Sequence, residues 1–263
     1  MSSLALDLAR TVDPATLFAV TGKVPDAWQE RAVRSAAPRL LLNCARQTGK
    51  GEVASVVVVH RAMNRPGSLS LLVAPGLRQA QELAYRVRSL ARALQLVTSK
   101  DNSLELMLEN TSRIVTIPAT EGTVRGYAAV ELLVIDEASR VPDELYAAVR
   151  PMLAVAEDAR VVAMSTPFGR RGWWWEAWDQ GGSSWERYRV PATDVPRISP
   201  AFLAEERAAL GTFWYAQEYL CEFVDATGAL FRGADIERAF DLGRGIPSLA
   251  QEFPSMRGAQ EAS

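Results

Sequence analysis

Between Arg39 and Glu52 the chain reads RLLLNCARQTGKGE, and this stretch limits the folds open to it more than any other. A short apolar run leads into a loop with no apolar bulk, and Gly49-Lys50 stands at the head of a predicted helix. A buried strand that empties into such a loop aims backbone N–H groups and a helix N-terminus at one point, where they favour an anion. Lys50 adds a mobile positive charge suited to β- and γ-phosphates. Two positions depart from the pattern G-x-x-x-x-G-K-[ST]: Cys44 stands where the first glycine belongs, and Gly51 where the serine or threonine belongs. Taken alone, the stretch also fits an ordinary strand-to-helix turn.

A second stretch, VELLVIDE from Val130 to Glu137, shifts the balance. Leu132 to Ile135 form an apolar run that delivers two adjacent carboxylates, a Walker B pattern. A strand buried on both faces has no favourable place for a carboxylate in its middle, so acids at its C-terminal end sit where ligands bind. Asp136 is then placed to hold Mg²⁺ through water, and Glu137 to orient and polarise an attacking water. The alternative is a strand followed by solvated helix-capping acids. A third strand, Val161 to Met164, ends in Ser165-Thr166-Pro167, where small hydroxyl residues reach a γ-phosphate or merely make a turn.

With these elements in order, the chain resembles the ATPase part of the large terminase subunit, the motor that packages DNA into the heads of tailed bacteriophages. Arg46-Gln47-Thr48-Gly49-Lys50 matches that family's R-Q-x-G-K loop, in which a glycine such as Gly51 after the lysine is a known variation. Asp136-Glu137 matches its Walker B end and Ser165-Thr166-Pro167 its coupling motif. Trp28-Gln29 resembles its adenine-contacting Q motif, and Gln217 to Phe223 the segment that closes its ATPase domain, so the likeness covers most of residues 25–231.

The resemblance implies an α/β P-loop NTPase of the additional-strand (ASCE) type. Its sheet is mainly parallel and flanked by helices, with the Ser165 strand between the P-loop and Walker B strands. It implies ATP and Mg²⁺ as ligands, with Gln29, Arg46, Gln47, Thr48, Gly49, Lys50, Gly51, Ser165 and Thr166 around the nucleotide. Asp136 falls on the metal, and Glu137, Arg46 and Lys50 on the chemistry. The implied partners are double-stranded DNA, a portal protein, a small terminase subunit and further copies of the chain in a ring, all in the bacterial host cytoplasm.

Composition narrows the rivals. The 263 residues, 48% hydrophobic and 23% charged, suffice for one substantial core. A net charge of −2 does not advertise a nucleic-acid coat, but a motor on DNA needs only a local basic surface. His60 is the only histidine, which excludes a histidine-rich metal site or a Ser-His-Asp triad with a spare base, and its place on the P-loop helix reads as structural. The two cysteines, Cys44 and Cys221, are far apart and suggest a reducing compartment. Neither a signal peptide nor a run near the ~20 apolar residues of a membrane span is present, which points to the cytosol.

Along the chain, residues 1–24 read as a helix and loop extending an ATPase domain over residues 1–225. Residues 226–263 read as a linker and tail. The acids from Asp225 onward, Asp225, Asp235, Glu237, Asp241, Glu252 and Glu261, lie in a stretch too short to build a metal-dependent nuclease, so no nuclease activity is expected of this chain. Leu77 to Leu94 forms an amphipathic helix whose Arg86, Arg88 and Arg92 make a solvated face or approach DNA. Residues 104–118 suggest a hairpin, and Arg125 lies in a glycine-bounded loop suited to nucleotide sensing or to a turn. Helices are expected over Pro142–Val155, Pro200–Leu210 and Phe213–Cys221. Four of the seven tryptophans fall in GWWWEAW, from Gly172 to Trp178, and read as core packing rather than a base-stacking platform. Two rivals stay open: a helicase-like ATPase, which lacks a second motor domain here, and a non-catalytic nucleotide-binding relative, which Gly51 keeps in play.

Overall fold

The strands Arg39–Cys44 (β1) and Leu132–Asp136 (β6) are almost wholly buried, as their unbroken apolar runs require. The computed structural model describes residues 3–119 and 126–224; Arg125 and the tail acids lie outside the described residues. In chain order the helices are α1 (Ser3–Val12), α2 (Leu17–Val20), α3 (Ala27–Arg34), α4 (Lys50–Asn64) and α5 (Leu77–Ala93), then α6 (Asp143–Val149), α7 (Gly172–Asp179) and α8 (Pro200–Leu220). The remaining strands are β2 (Leu69–Ala74), β3 (Thr98–Asp101), β4 (Glu105–Leu108), β5 (Arg113–Pro118), β7 (Arg160–Ser165) and β8 (Glu186–Val190).

These strands form one sheet in the order β3-β4-β5-β2-β6-β7-β1-β8. All neighbours are parallel except those of β4, which pairs antiparallel with β3 and β5. The strand bearing Ser165, β7, therefore lies between β1 and β6, as expected of an additional-strand P-loop fold. Because side chains alternate across a strand, Leu40 and Leu42 pack on one face with α4 residues such as Val53 and Val57, together with Leu83 of α5. Leu41 packs on the other face with Leu145 of α6 and Trp174 of α7. The sheet is thus sandwiched, and the C-terminal ends of β1 and β6 are left for chemistry.

The hairpin over residues 104–118 is present as β4 and β5, but β5 also pairs with β2 and so lies inside the sheet. The helix expected over Pro142–Val155 is shorter. Its α-helical part ends at Val149, and Pro151 sits in a 3-10 turn, because proline has no N–H to continue the α ladder. The two helices expected after Pro200 share one span, Pro200–Leu220, interrupted where Gly211 adopts φ 72°, ψ 173°. His60 meets the carbonyl of Thr11 at 2.9 Å, a packing role. Among the described residues no helix is long and apolar enough to cross a membrane.

The tryptophan cluster packs as core. Trp173 stacks on Tyr146 at a centroid separation of 3.9 Å and donates its indole N–H to Val141 O, while Trp174 is 2% exposed. Trp174→Ala is expected to cost about 3–5 kcal/mol of stability, read as a lowered urea midpoint with unchanged slope, since it removes the largest fully buried side chain on that face. A loss under about 1 kcal/mol would place α7 outside the cooperative core.

Candidate functional site

Site construction begins with the turn from β1 into α4. Gly49 adopts φ 90°, ψ 23°, and a Cβ there would lie 2.6 Å from Gln29 Nε2, so only glycine fits both the backbone and the close approach. The loop is braced from several sides. Ala45 N donates to Val190 O and Arg46 N to Glu218 O, while the Thr48 hydroxyl turns inward to Ala45 O at 3.0 Å. Gln29 Oε1 accepts from Asp26 N in a capping box, and its Nε2 donates to Gly49 O at 3.2 Å. Gln29, expected to meet adenine, thus sits against the loop with both ends of its amide engaged by protein groups. Arg197, which sequence reasoning missed, ties Thr48 O to Asp26.

β6 brings the two acids to the same place. Lys50 Nζ lies 2.8 Å from Glu137 Oε1, joining the head of α4 to the end of the Walker B strand. Burial opposes the Lys50 charge, but Glu137 and Asp136 outweigh it and hold its pKa above the ordinary lysine value. Burial pushes the Asp136 carboxyl up to about 6, with Lys50 pulling it back and Glu137 adding to the rise. Glu137 itself adopts φ 48°, ψ 45°, a left-handed backbone unusual for a side-chain-bearing residue. Its N–H donates to Asp136 Oδ1 at 2.9 Å.

A cavity of about 600 Å³ opens over these groups, lined in part by Gln47, Gly49, Lys50, Gly51, Asp136 and Glu137. Helix α5 supplies its other wall through Arg78, Gln79, Glu82, Leu83 and Arg86. Of the three arginines read as a charged helix face, Arg86 enters the site, whereas Arg88 and Arg92 pair with Asp101 of β3.

The other expected site residues lie beside the cavity rather than on its lining. Arg46 forms an ion pair with the nearly buried Glu218 of α8, which holds the guanidinium pKa above its usual value. Ser165 is buried and shares a 2.7 Å hydroxyl contact with Ser139, just past the Walker B acids, and Thr166 is buried next to it. Glu218 fell within the closing segment already singled out. Ser139 carried no sequence signal, because a serine after an acid pair is unremarkable.

Strand order, left-handed glycine turn and converging lysine and acids place the molecule among additional-strand P-loop proteins. Comparison with known proteins narrows the class. Residues 41–238 match the family model for the terminase large subunit, T4likevirus-type, N-terminal. The chain is 27% identical over 258 residues to the large terminase subunit of Thermus virus P23-45, covering 83% of this chain and 53% of that protein. It is 26% identical, with the same coverage, to the large subunit of Thermus phage G20c. Among solved structures, the Thermus phage P74-26 large terminase ATPase domain matches with a TM-score of 0.70 at 27% identity, covering 79% of this chain and 97% of that one. The large terminase of bacteriophage HK97 shares the fold at 17% identity and a TM-score of 0.57, over 88% of this chain and 49% of that one. The chain belongs to the terminase large subunit family and matches its N-terminal part. It spans about half the length of the curated relatives it matches.

Proposed function

We propose that this chain is the ATPase part of a viral DNA-packaging motor, coupling ATP hydrolysis to movement of double-stranded DNA into a preformed capsid in the host cytoplasm. The observation that carries this reading is the convergence of Lys50 with Asp136 and Glu137 at one cavity, in a chain of the terminase family. The Gly49 turn and the start of α4 receive the phosphates, and Lys50 binds them as its contact with Glu137 is exchanged. Glu137, released from Lys50, orients and polarises the attacking water. Arg46 leaves Glu218 to bring positive charge to the γ-phosphoryl group within the same subunit. Ser165, through Ser139, transmits changes at the Walker B loop to β7. Residues 1–225 form the ATPase domain, with the portal protein, the small subunit and further copies in a ring as partners.

The donor set fits Mg²⁺, which favours carboxylate and water oxygens. Asp136 would hold it, with water taking the place of the hydroxyl that Gly51 lacks, and the ion would neutralise phosphate charge. The Thr48 hydroxyl donates to Ala45 O and faces into the loop. A Cβ at Gly51 would come no closer than 3.4 Å to Arg86, an ordinary contact, so a serine fits there. Gly51→Ser is expected to keep the fold and lower the Mg²⁺ concentration needed for half-maximal turnover. An unchanged requirement, or a bound-state structure showing Thr48 on the ion, would contradict the assignment.

DNA coupling is tested by measuring ATP turnover with and without double-stranded DNA. A rise on DNA addition is expected. Equal rates over a range of salt would leave an ATPase without a DNA-driven cycle.

A further inference from the structure

Where the P-loop pattern carries a hydroxyl, this chain has Gly51, and the space beside that glycine is taken by an arginine from another helix. A Cβ at Gly51 would lie 3.4 Å from Arg86 Cδ, 3.5 Å from Nε and 3.6 Å from Nη1, so the guanidinium runs alongside the absent side chain. Arg86 lines the same cavity as Lys50 and Asp136 but enters it from α5. Two carboxylates steady it: Glu52 Oε1 is 3.3 Å from Nη1, and Glu82 Oε1 is 3.0 Å from Nη2. Glu52 is shared with Lys23 at 2.6 Å, and the Arg86 side chain is 41% exposed. Such solvent-facing pairs contribute little and exchange readily, so they pose the guanidinium without locking it.

We propose that Arg86 is a nucleotide-contacting residue that binds the triphosphate from the α5 side and supplies charge neutralisation beside Gly51, where the P-loop pattern carries a hydroxyl. A guanidinium cannot ligate a metal ion, so Arg86 does not replace the missing ligand. It supplies positive charge and a planar fork of donors matched to phosphate oxygens, from α5 where Lys50 comes from α4. The consequence is a pocket whose hold on ATP depends less on the divalent ion. This rests on the reading of the cavity as an ATP site.

The test is equilibrium binding of a fluorescent ATP analogue to the purified chain, in Mg²⁺ and in excess EDTA, for wild type, Arg86→Gln, Arg86→Lys and Lys50→Ala. Wild type is expected to lose no more than about threefold in affinity on removing the metal. Arg86→Gln is expected to lose about tenfold or more in EDTA, the size of one charge-assisted hydrogen bond, and less in Mg²⁺. Arg86→Lys should recover part of the loss, because it keeps the charge and lacks the fork. A role limited to clamping α4 to α5 through Glu52 and Glu82 would instead lower the melting temperature of the free protein and leave the metal dependence unchanged. Arg86→Gln binding like wild type in EDTA while Lys50→Ala loses binding would overturn the proposal alone. Lys50→Ala also binding like wild type would overturn the ATP-site reading with it.

Discussion

Glu137→Gln is expected to leave ATP bound and to cut turnover by about a hundredfold or more, the usual contribution of a positioned general base. The amide keeps the shape of the side chain, and its oxygen still accepts from Lys50, 2.8 Å away in the native pair. What disappears is the charge that polarises water, which matters in the transition state more than in the bound ground state. ATP affinity and turnover should therefore separate. A variant that retained most of the wild-type turnover would remove Glu137 from the chemistry.

Lys50→Ala is expected to fail earlier, at binding. The Lys50 side chain is only 15% exposed and points its ammonium at the acids that line the cavity, so its loss leaves the triphosphate facing Asp136 and Glu137 with one cation fewer. Affinity for ATP should fall by about tenfold or more, as when a charge-assisted contact is lost, and turnover should fall with it. The fold should survive, because Glu137 keeps a third of its side chain in solvent and is rehydrated when its partner goes. Titration calorimetry with ATP on both variants separates the two failures. Equal ATP affinity in Lys50→Ala and wild type would contradict this account.

The parts of the molecule legible in the sequence are those where burial imposes a pattern. β1, β2, β6 and β7 are interior parallel strands, so they read as largely apolar runs, and β6 and β7 end on the site residues Asp136 and Ser165. The two sheet edges were not legible. Every residue of β3 is exposed, and in β8 only Val190 is buried, so neither shows a run that separates strand from loop. Their pairing is imposed by neighbours already in place.

Within the site, the residues contributed by β1, α4 and β6 could be read because one turn or one strand end delivers them together. Arg86 and Arg197 reach the same place from elements distant in sequence, and a solvated arginine looks identical in sequence to one leaning into a cavity. The Arg46 ion pair with Glu218 joins residues 172 positions apart. The sequence marks the Glu218 segment only as the close of the ATPase domain, and the fold supplies its contact with the loop. Gln29 is singled out by its motif as an adenine contact, whereas its bonds to Gly49 O and to Asp26 N depend on the local start of α3 and on the fold.

The central claim is that the cavity between Lys50 and the Walker B acids both binds and hydrolyses ATP. Its most direct test is phosphate release from ATP in Mg²⁺, measured on the same purified preparation in which ATP binding is quantified, with a protein-free reaction as background. Bound ATP with phosphate release clearly above that background is the expected result; bound ATP with none above it would make this chain a nucleotide-binding relative without catalysis and contradict the account.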